Sequence, residues 1–411
     1  MTNPQHHEIV VIGAGICGAT ITNELLERGK AVCIVDAASS PATACSSHAY
    51  AIAHPHIGKG SPRLLRLTRI AFLLAEARWG LVWKAHGIFQ PTKKDKEFVL
   101  KELEDYLDTL ELDNTMALPL NAQDAKKICG VSQSGVWLPR GASLNLLETT
   151  QHLLQDHTRL TCIWNTRVVR LENRDEKWFL LNEADQAILS ADKLVIAAAM
   201  ESKALANSIG VRLPLKPVRG QLSIFSVAPN DPWAAKLPSV GISGDGYCLP
   251  AEQLEDGSYR WIVGSSFDEG EDDLFPRDSS DEFNRAQAKG LVQYFEGDPG
   301  GLKKLGEFVG IRCVAGDRLP MIGALSQRPG IFLATALGSR GILWSALAAK
   351  LIATQVLDED LALLARFGLA ADLVAALAPA RFFAGALAAP SALGALASNS
   401  KPVLPSAPKT R

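Results

Sequence analysis

Residues 8–36 read EIVVIGAGICGATITNELLERGKAVCIVD, and this stretch decides the fold class. It opens on the apolar run 9–12, which is typical of a parallel strand buried on both faces. The turn 13–18 follows with the pattern G-x-G-x-x-G, and a helical pattern then leads to a second apolar run, 31–35, which ends on Asp36. The stretch therefore predicts a strand, a turn, a helix and a strand that together bind a dinucleotide.

The residues of the turn have separate roles in dinucleotide binding. Gly13 permits the tight turn, Gly15 lets a pyrophosphate approach the backbone, and Gly18 lets helix and strand pack closely. Ala14 lies between the first two glycines, and the free N–H groups of the following helix point at the phosphates. Asp36 can accept hydrogen bonds from both ribose hydroxyls and would repel a 2′-phosphate, which disfavours NADP. The alternative for this pattern is a glycine-rich turn that holds no ligand.

The composition is that of a globular protein large enough for two domains. Its 411 residues are 47% apolar and 21% charged, which excludes a disordered, collagenous or coiled-coil chain. A formal net charge of −2 excludes a uniformly basic nucleic-acid binder, although not a local basic patch. Seven scattered cysteines without a C-x-x-C predict neither a zinc site nor a disulfide framework. With no leader-like start and no apolar run of about 18 residues, we expect a cytoplasmic protein that does not enter a membrane.

Further apolar runs predict more strands, and residues 64–110 have the periodicity of helices. A final strand, 331–334, leads through a glycine-containing turn into a long apolar helix, 342–357. Because this closing unit is similar in kind to the opening one, we expect the first and last segments of the nucleotide domain to meet in space. From about residue 386 the composition shifts to Ala, Ser, Pro and Gly, which predicts a flexible tail. The strands predicted between these ends are 162–164, 168–171, 178–181, 194–197, 221–227 and 261–264.

Four motifs downstream of the glycine-rich turn carry a resemblance to a known family. They read DGYCLP (245–250), GSSFDEGEDD (264–273), VGIRCVAGDRLPMIG (309–323) and LATALGSRGILWSALAAKLI (333–352). With the turn, they resemble the glycine oxidase/D-amino-acid oxidase family of flavoenzymes. Within it, the sequence is most similar to the FAD-dependent oxidoreductase half of the bifunctional enzymes of tRNA 5-methylaminomethyl-2-thiouridine biosynthesis.

The resemblance implies an α/β fold of the D-amino-acid-oxidase type. One domain would be an FAD-binding Rossmann-like domain that carries the GxGxxG turn, and the other an antiparallel-sheet substrate domain that covers the flavin ring. The implied FAD-binding domain is discontinuous, and the tail belongs to neither domain. The expected boundaries are 1–58, 140–217 and 309–385 for FAD binding, 59–139 and 218–308 for the substrate domain, and 386–411 for the tail.

The resemblance also implies the cofactor and several of its ligands. The cofactor would be FAD rather than NAD, with Asp36 at the ribose and the backbone of Val168 on the adenine side. A carboxy-terminal loop would wrap the isoalloxazine ring. Cys313 does not match the position of the cysteine that links flavin covalently in some sarcosine oxidases, so we expect non-covalent FAD. The loop consists of Gly338, Ser339, Arg340, Gly341 and Ile342.

Two residues match positions that bind the substrate carboxylate in the family. Arg312 matches the arginine that holds the carboxylate, and a planar guanidinium suits this task because it grips both oxygens at once. Tyr247 matches the tyrosine that adds a second hydrogen bond. Without the motif, Arg312 would be read as half of a surface or interdomain ion pair. Tyr247 could be a rim residue of a strand, with one apolar and one wet side.

One segment departs from the family pattern A-S-G-N-x-x-G. The matching residues retain Ser46 as a cofactor-side residue but replace both glycines and the asparagine, by Ser47, Ala51 and His48 respectively. Ser47 and Ala51 must therefore fit without a positive φ, or the loop must have moved. His48 could be a proton shuttle or merely a polar loop residue.

Two stretches without acidic residues could form a phosphate-binding surface for RNA. Solvated helix faces with chance segregation of charge are the alternative. The resemblance, rather than the charges, favours tRNA as the partner. The basic residues of the two stretches are Lys59, Arg63, Arg66 and Arg69, and Lys203, Arg212, Lys216 and Arg219.

The predicted function is that of an FAD-dependent oxidoreductase acting on CH–NH groups. It would remove the carboxymethyl group from 5-carboxymethylaminomethyl(-2-thio)uridine at the tRNA wobble position, in the anticodon stem-loop, and leave 5-aminomethyl(-2-thio)uridine and glyoxylate. A separate methyltransferase would act next. One alternative is a free amine or amino-acid oxidase for glycine, sarcosine or a D-amino acid. Another is a flavin-binding or tRNA-binding protein that has lost catalysis.

Overall fold

A computed structural model describes residues 4–58, 60–92, 99–155, 157–291 and 302–383. The tail predicted from residue 386 and the basic residue Lys59 lie outside the described residues. No helix in these ranges is long and apolar enough to cross a bilayer.

The chain alternates between strands and helices, with the longest strands in its second half. The strands are β1 (Gln5–Ile12), β2 (Val32–Val35), β3 (Ala51–Ala53), β4 (Lys84–Ala85), β5 (Ile88–Pro91), β6 (Leu118–Leu120), β7 (Gly135–Leu138), β8 (Ala142–Leu144), β9 (Leu160–Ile163), β10 (Arg170–Arg174), β11 (Lys177–Leu181), β12 (Ala187–Ile196), β13 (Leu215–Val227), β14 (Gly241–Ser243), β15 (Tyr247–Cys248), β16 (Glu252–Gln253), β17 (Tyr259–Gly264), β18 (Asp268–Glu269), β19 (Lys303–Ala315), β20 (Met321–Ala324) and β21 (Ile331–Thr335). The α-helices are α1 (Ile16–Glu27), α2 (Pro62–Trp79), α3 (Leu100–Thr109), α4 (Ala122–Cys129), α5 (Leu146–His152), α6 (Ser202–Ser208), α7 (Asp278–Leu291), α8 (Gly341–Val356) and α9 (Ala371–Leu377).

The first sheet places the opening and closing segments of the chain side by side. Its parallel part has the order β9-β2-β1-β12-β21, and every residue of β2 and β21 is buried. Strand β12 pairs with β1 along one edge and with β21 through residues 194–196. Helices α1 and α8, which follow β1 and β21, pack against each other. The expected meeting of the first and last segments is therefore confirmed.

The second sheet is built on the antiparallel pair β13 and β19, thirteen residues each. On its other edge β13 pairs with β17 and β18, and the sheet continues through β15, β14, β5 and β7 to β6. Most strands of the two sheets come from the chain segments that the sequence assigns to the two domains, but β13 and β19 of the second sheet cross the expected boundaries at 217/218 and 308/309. The domain boundaries themselves stay a prediction.

Two predicted elements differ from the structure. Residues 64–110 contain α2 and α3, as expected for helices, but also β4 and β5, which the helical reading missed. The strand predicted over 168–171 begins only at Arg170, and the chain shortly before it is bonded to the segment that follows β2. Asn165 and Thr166 donate to the carbonyl oxygens of Ala38 and Asp36 at 2.8 and 3.0 Å.

A buried carboxylate joins the helices that follow the parallel strands. Glu24 of α1 is 3% exposed and lies within 2.7–2.9 Å of nitrogen atoms of Arg28, Arg78 and Lys350. Burial alone would raise the pKa of Glu24, but these cations hold it below its usual value. Glu24 is therefore the anionic centre of a contact between α1, α2 and α8.

Candidate functional site

The glycine-rich turn lies at the carboxyl edge of the parallel strands, where open α/β sheets bind ligands. Gly13 has a φ of +103°, and a Cβ there would lie 2.6 Å from the carbonyl oxygen of Ala197, just after β12. A Cβ on Gly18 would lie 1.8 Å from the Gly13 oxygen, so only glycine permits this approach of helix and strand. At Gly15, by contrast, a Cβ would meet only the Ser46 hydroxyl, at 3.4 Å. The space beside the Cα of Gly15 is therefore open.

The residues expected around the adenosine half of FAD converge on this turn. One Asp36 carboxylate oxygen accepts from the Ala14 N–H at 2.6 Å, and the other accepts from Ala38. Ser46 accepts from the Ile16 N–H at 3.0 Å, which brings the altered loop to the start of α1. Val168 is half-buried and follows the Asn165–Thr166 segment that is bonded to the end of β2.

The carboxy-terminal loop lies between the first helix and the second sheet. Gly338, at a φ of +56°, donates its N–H to the Cys313 oxygen of β19 at 2.9 Å. Ser339 and Arg340 follow, and the Arg340 guanidinium lies 3.1 Å from Nδ1 of His56. A Cβ on Gly341 would meet Ile16 at 3.9 Å, while Ile342 is buried. The loop therefore connects the nucleotide turn with the strand of Arg312.

These residues fit a dinucleotide such as FAD. The open face of Gly15 leaves room for a pyrophosphate, and no acidic residue occupies the first turn of α1 to repel it. Cys313 is buried with its sulfur 3.6 Å from the Thr335 hydroxyl, on the opposite strand face from Arg312. This placement supports the expectation of non-covalent binding.

Arg312 lies in β19 without an acidic partner. Its Nη1 donates to the carbonyl oxygens of Arg219 and Ser266 at 3.4 and 3.3 Å, and its Nη2 donates to the Ser265 hydroxyl. Among the described residues, no carboxylate lies within ion-pair distance of Arg312, and its Nε has no hydrogen-bond acceptor. Burial lowers the pKa of this guanidinium. Within the part of the chain that the structure describes, Arg312 is therefore not half of an ion pair.

Tyr247 lies on the same side of the second sheet as Arg312. It pairs with Gly264 across β15 and β17, and Ser265, which accepts from Arg312, comes next in the chain. The Tyr247 hydroxyl donates to the Tyr50 oxygen at 3.4 Å. Burial raises the pKa of Tyr247 to about 12, against a smaller opposite effect of Arg312. Tyr247 is thus a neutral hydrogen-bond donor on the same sheet face as the half-buried Arg312.

The altered loop also contacts β19 beside Arg312, which the sequence reading missed. The His48 ring packs against Phe308 with 4.8 Å between centroids and a tilt of 42°, and Cys45 donates to the Ile311 oxygen at 2.8 Å. Burial, and secondarily Arg312, lowers the pKa of His48 to about 4, so this ring is neutral at pH 7. Ser47 and Ala51 fit without a positive φ. In the sequence, the one sign of this contact is that His48 lies two residues after the retained Ser46.

The structure corrects part of the expected basic surface. Arg219 is fully buried and ion-paired with Asp268 at 3.0 Å, so it cannot contact RNA. Arg69 is bound to Glu111. Arg63, by contrast, is exposed at the start of α2, a few residues after the His56 that contacts Arg340. The basic residues available to a polyanion are therefore fewer than the sequence suggested.

A dinucleotide turn on one sheet and an arginine without an ion-pair contact on the next fit a protein that binds a nucleotide cofactor and an anionic ligand. The family comparison makes the class specific. The chain belongs to the FAD dependent oxidoreductase family (DAO), whose model matches residues 8–355. Its cofactor is FAD, and it is an oxidoreductase.

Two kinds of relative agree with this assignment. The tRNA 5-methylaminomethyl-2-thiouridine biosynthesis bifunctional protein MnmC of Ralstonia nicotianae is 31% identical over 93% of this chain, which spans 61% of that relative. Glycine oxidase from Geobacillus kaustophilus has the same fold, with a TM-score of 0.73 at 19% identity over 89% of this chain and 99% of its own. L-proline dehydrogenase from P. horikoshii has a TM-score of 0.71 at 17% identity over 93% and 99%.

Proposed function

We propose that this protein oxidatively removes the carboxymethyl group from 5-carboxymethylaminomethyl(-2-thio)uridine at the wobble position of tRNA. The observation that carries the proposal is the half-buried Arg312, which donates only to neutral oxygen acceptors among the described residues. A cation that is partly removed from water and has no carboxylate in ion-pair contact is costly, so such a site favours an anionic ligand. The substituent of this uridine ends in –NH–CH2–COO⁻ and supplies that anion.

The proposed role of the protein is to bind and orient this substituent. The Nε and Nη2 edge of Arg312 binds the carboxylate, while the protonated Tyr247 turns its hydroxyl from the Tyr50 oxygen to donate a second hydrogen bond to it. When bound, FAD supplies the acceptor for the methylene hydride, with dioxygen as the reoxidant. Loss of the hydride converts the C–N bond to a protonated imine, so a neutral amine needs no general base. Water then cleaves that imine into the 5-aminomethyl group and glyoxylate. Positioning by the two residues accounts for the protein's share of the rate.

Support for tRNA rather than a free amino acid comes from the relatives and from the surface beside the loop. MnmC relatives carry tRNA modification in their name, and exposed Arg63 follows the His56–Arg340 contact by a few residues. Such a cation can hold a phosphate of the anticodon stem-loop. A methyltransferase, on a separate chain or domain, would then act on the aminomethyl product in the cytoplasm.

The test is oxidation of tRNA by the purified yellow protein. Wobble nucleosides are analysed by mass spectrometry after incubation with tRNA that carries the carboxymethylaminomethyl group, and glyoxylate is measured in parallel. We expect aminomethyluridine and glyoxylate in equal amounts. The Arg312→Ala protein should retain its flavin and its affinity for tRNA, but lose roughly ten- to two-hundredfold in oxidation, the value of one charge-assisted contact.

Two other outcomes contradict the proposal. Turnover of free glycine, sarcosine or a D-amino acid without tRNA would identify a free amine oxidase. A yellow protein that neither tRNA nor amines can bleach would identify a binding protein without catalysis. Full activity of Arg312→Ala would remove Arg312 from the site.

A further inference from the structure

The guanidinium of Arg312 occupies the space that a side chain of residue 220 would fill. Strands β13 and β19 pair Val218 with Arg312 and Gly220 with Gly310, so Gly220 is the diagonal neighbour of Arg312 on one sheet face. A Cβ built on Gly220 would lie 2.1 Å from Nη1, 2.4 Å from Nη2 and 2.5 Å from Cζ. The guanidinium therefore rests directly on the bare backbone of β13.

This glycine is not required by backbone conformation. Gly220 is absent from the residues with a positive φ, so alanine could adopt the same strand geometry without strain. The atoms that a new methyl group would meet belong to the far end of one flexible side chain. Such a side chain can move aside, so the expected cost of alanine is a displaced guanidinium rather than an unfolded sheet.

A second arginine, Arg219, fixes the backbone on the other side of the Arg312 guanidinium. Arg219 points to the opposite face of β13, where it is fully buried and binds Asp268 at 3.0 Å. Asp268 accepts from the Ser266 hydroxyl at 3.1 Å, and Ser266 exchanges backbone and side-chain hydrogen bonds with Gln221. The Ser266 carbonyl, fixed in this way, accepts from Arg312 at 3.3 Å.

We propose that Gly220 and Arg219 are positioning residues for the substrate carboxylate. Because Gly220 has no side chain, the Arg312 guanidinium can lie directly against the backbone of β13. The Arg219–Asp268 pair fixes the carbonyl oxygens that orient this guanidinium. The remaining N–H groups are thereby held ready for a carboxylate. This inference rests on the proposed function, because it assumes that Arg312 binds the substrate.

The experiment compares Gly220→Ala with Gly306→Ala in the FAD-loaded protein. Gly306 lies in β19, and a Cβ there meets nothing within 4 Å, so this variant makes the same chemical change in the same sheet without touching Arg312. Glycolate binding is measured by calorimetry and tRNA oxidation by its KM and kcat, alongside thermal unfolding. We expect Gly220→Ala to weaken glycolate binding roughly tenfold or more and Gly306→Ala to leave it unchanged.

A double-mutant cycle separates positioning from general damage to the sheet. In the Arg312→Ala background, Gly220→Ala should have no further effect on glycolate binding, because the guanidinium that it displaces is gone. Three results would overturn the inference: additive effects of the two substitutions on glycolate binding, equal losses of binding in both glycine variants, or wild-type binding by Gly220→Ala. In each of these cases the proposed function still stands if Arg312→Ala binds glycolate poorly. Wild-type glycolate binding by Arg312→Ala would instead overturn the proposed function itself.

Discussion

Glu24→Gln tests whether the buried carboxylate stabilises the layer of helices behind the cofactor site. The change keeps the size of the side chain but removes the one negative charge that Arg28, Arg78 and Lys350 share. Removing one partner of a buried ion pair costs about 3–5 kcal/mol. Arg28 keeps Glu359 at 2.7 Å, and Lys350 is partly exposed, so we expect the low end of this range, about 3 kcal/mol.

The pH dependence of this loss follows from the direction of the pKa shift. Because the pKa of Glu24 is lowered in the folded protein, its charge adds stability above the unfolded-state pKa, and the gain is lost as the pH falls through the folded-state pKa. The difference between wild type and Glu24→Gln should therefore be constant near neutrality and should close below about pH 4.

The assay is urea unfolding of both proteins across this pH range, with Glu27→Gln as the control. Glu27 lies on the same helix, 3.6 Å from the same Arg78, but it is largely exposed, so its loss should cost under about 1 kcal/mol. A Glu24→Gln loss no larger than that of Glu27→Gln, or one that grows on acidification, would refute the reasoning.

Further outcomes concern the cofactor and the substrate carboxylate. Gly15→Val should purify folded but colourless, because its side chain would fill the open face of the turn, whereas Gly306→Val should stay yellow; absorbance at the flavin maximum decides. Arg312→Lys should recover only part of the oxidation lost in Arg312→Ala, since an ammonium lacks the two-pronged geometry of a guanidinium. Full recovery of the rate in steady-state kinetics would contradict this prediction. Glycolate affinity should be flat between about pH 6 and 9, because the pKa of His48 is about 4 and that of Tyr247 about 12; calorimetric titrations that show a step in this window would contradict these protonation states.

The fold could be predicted from the sequence wherever a pattern was local. The opening turn and the closing helix, 341–356, stand where the patterns placed them. Strand β5 was missed because its apolar part, Ile88 and Phe89, is too short to show a period among helical residues. The strand at Val168 was placed too early, since apolar character alone does not fix the residue at which pairing with β11 begins.

The candidate site was predictable in its principal residues but not in its surroundings. Arg312 and Tyr247 were identified by motif, and their catalytic roles stay predictions. Ser265 reaches Arg312, and His48 reaches Phe308 on the same strand, only because segments distant in the chain come together, which no local pattern reports. Arg219 was taken for a surface cation because a count of charges along the sequence contains no information about burial.

The hydrogen bond from Gly338 to Cys313 has a thermodynamic consequence. It joins the loop beside the cofactor to the strand of Arg312 through main-chain atoms alone. By linkage, whatever factor the bound cofactor applies to the carboxylate affinity at Arg312, the bound carboxylate applies to the cofactor affinity.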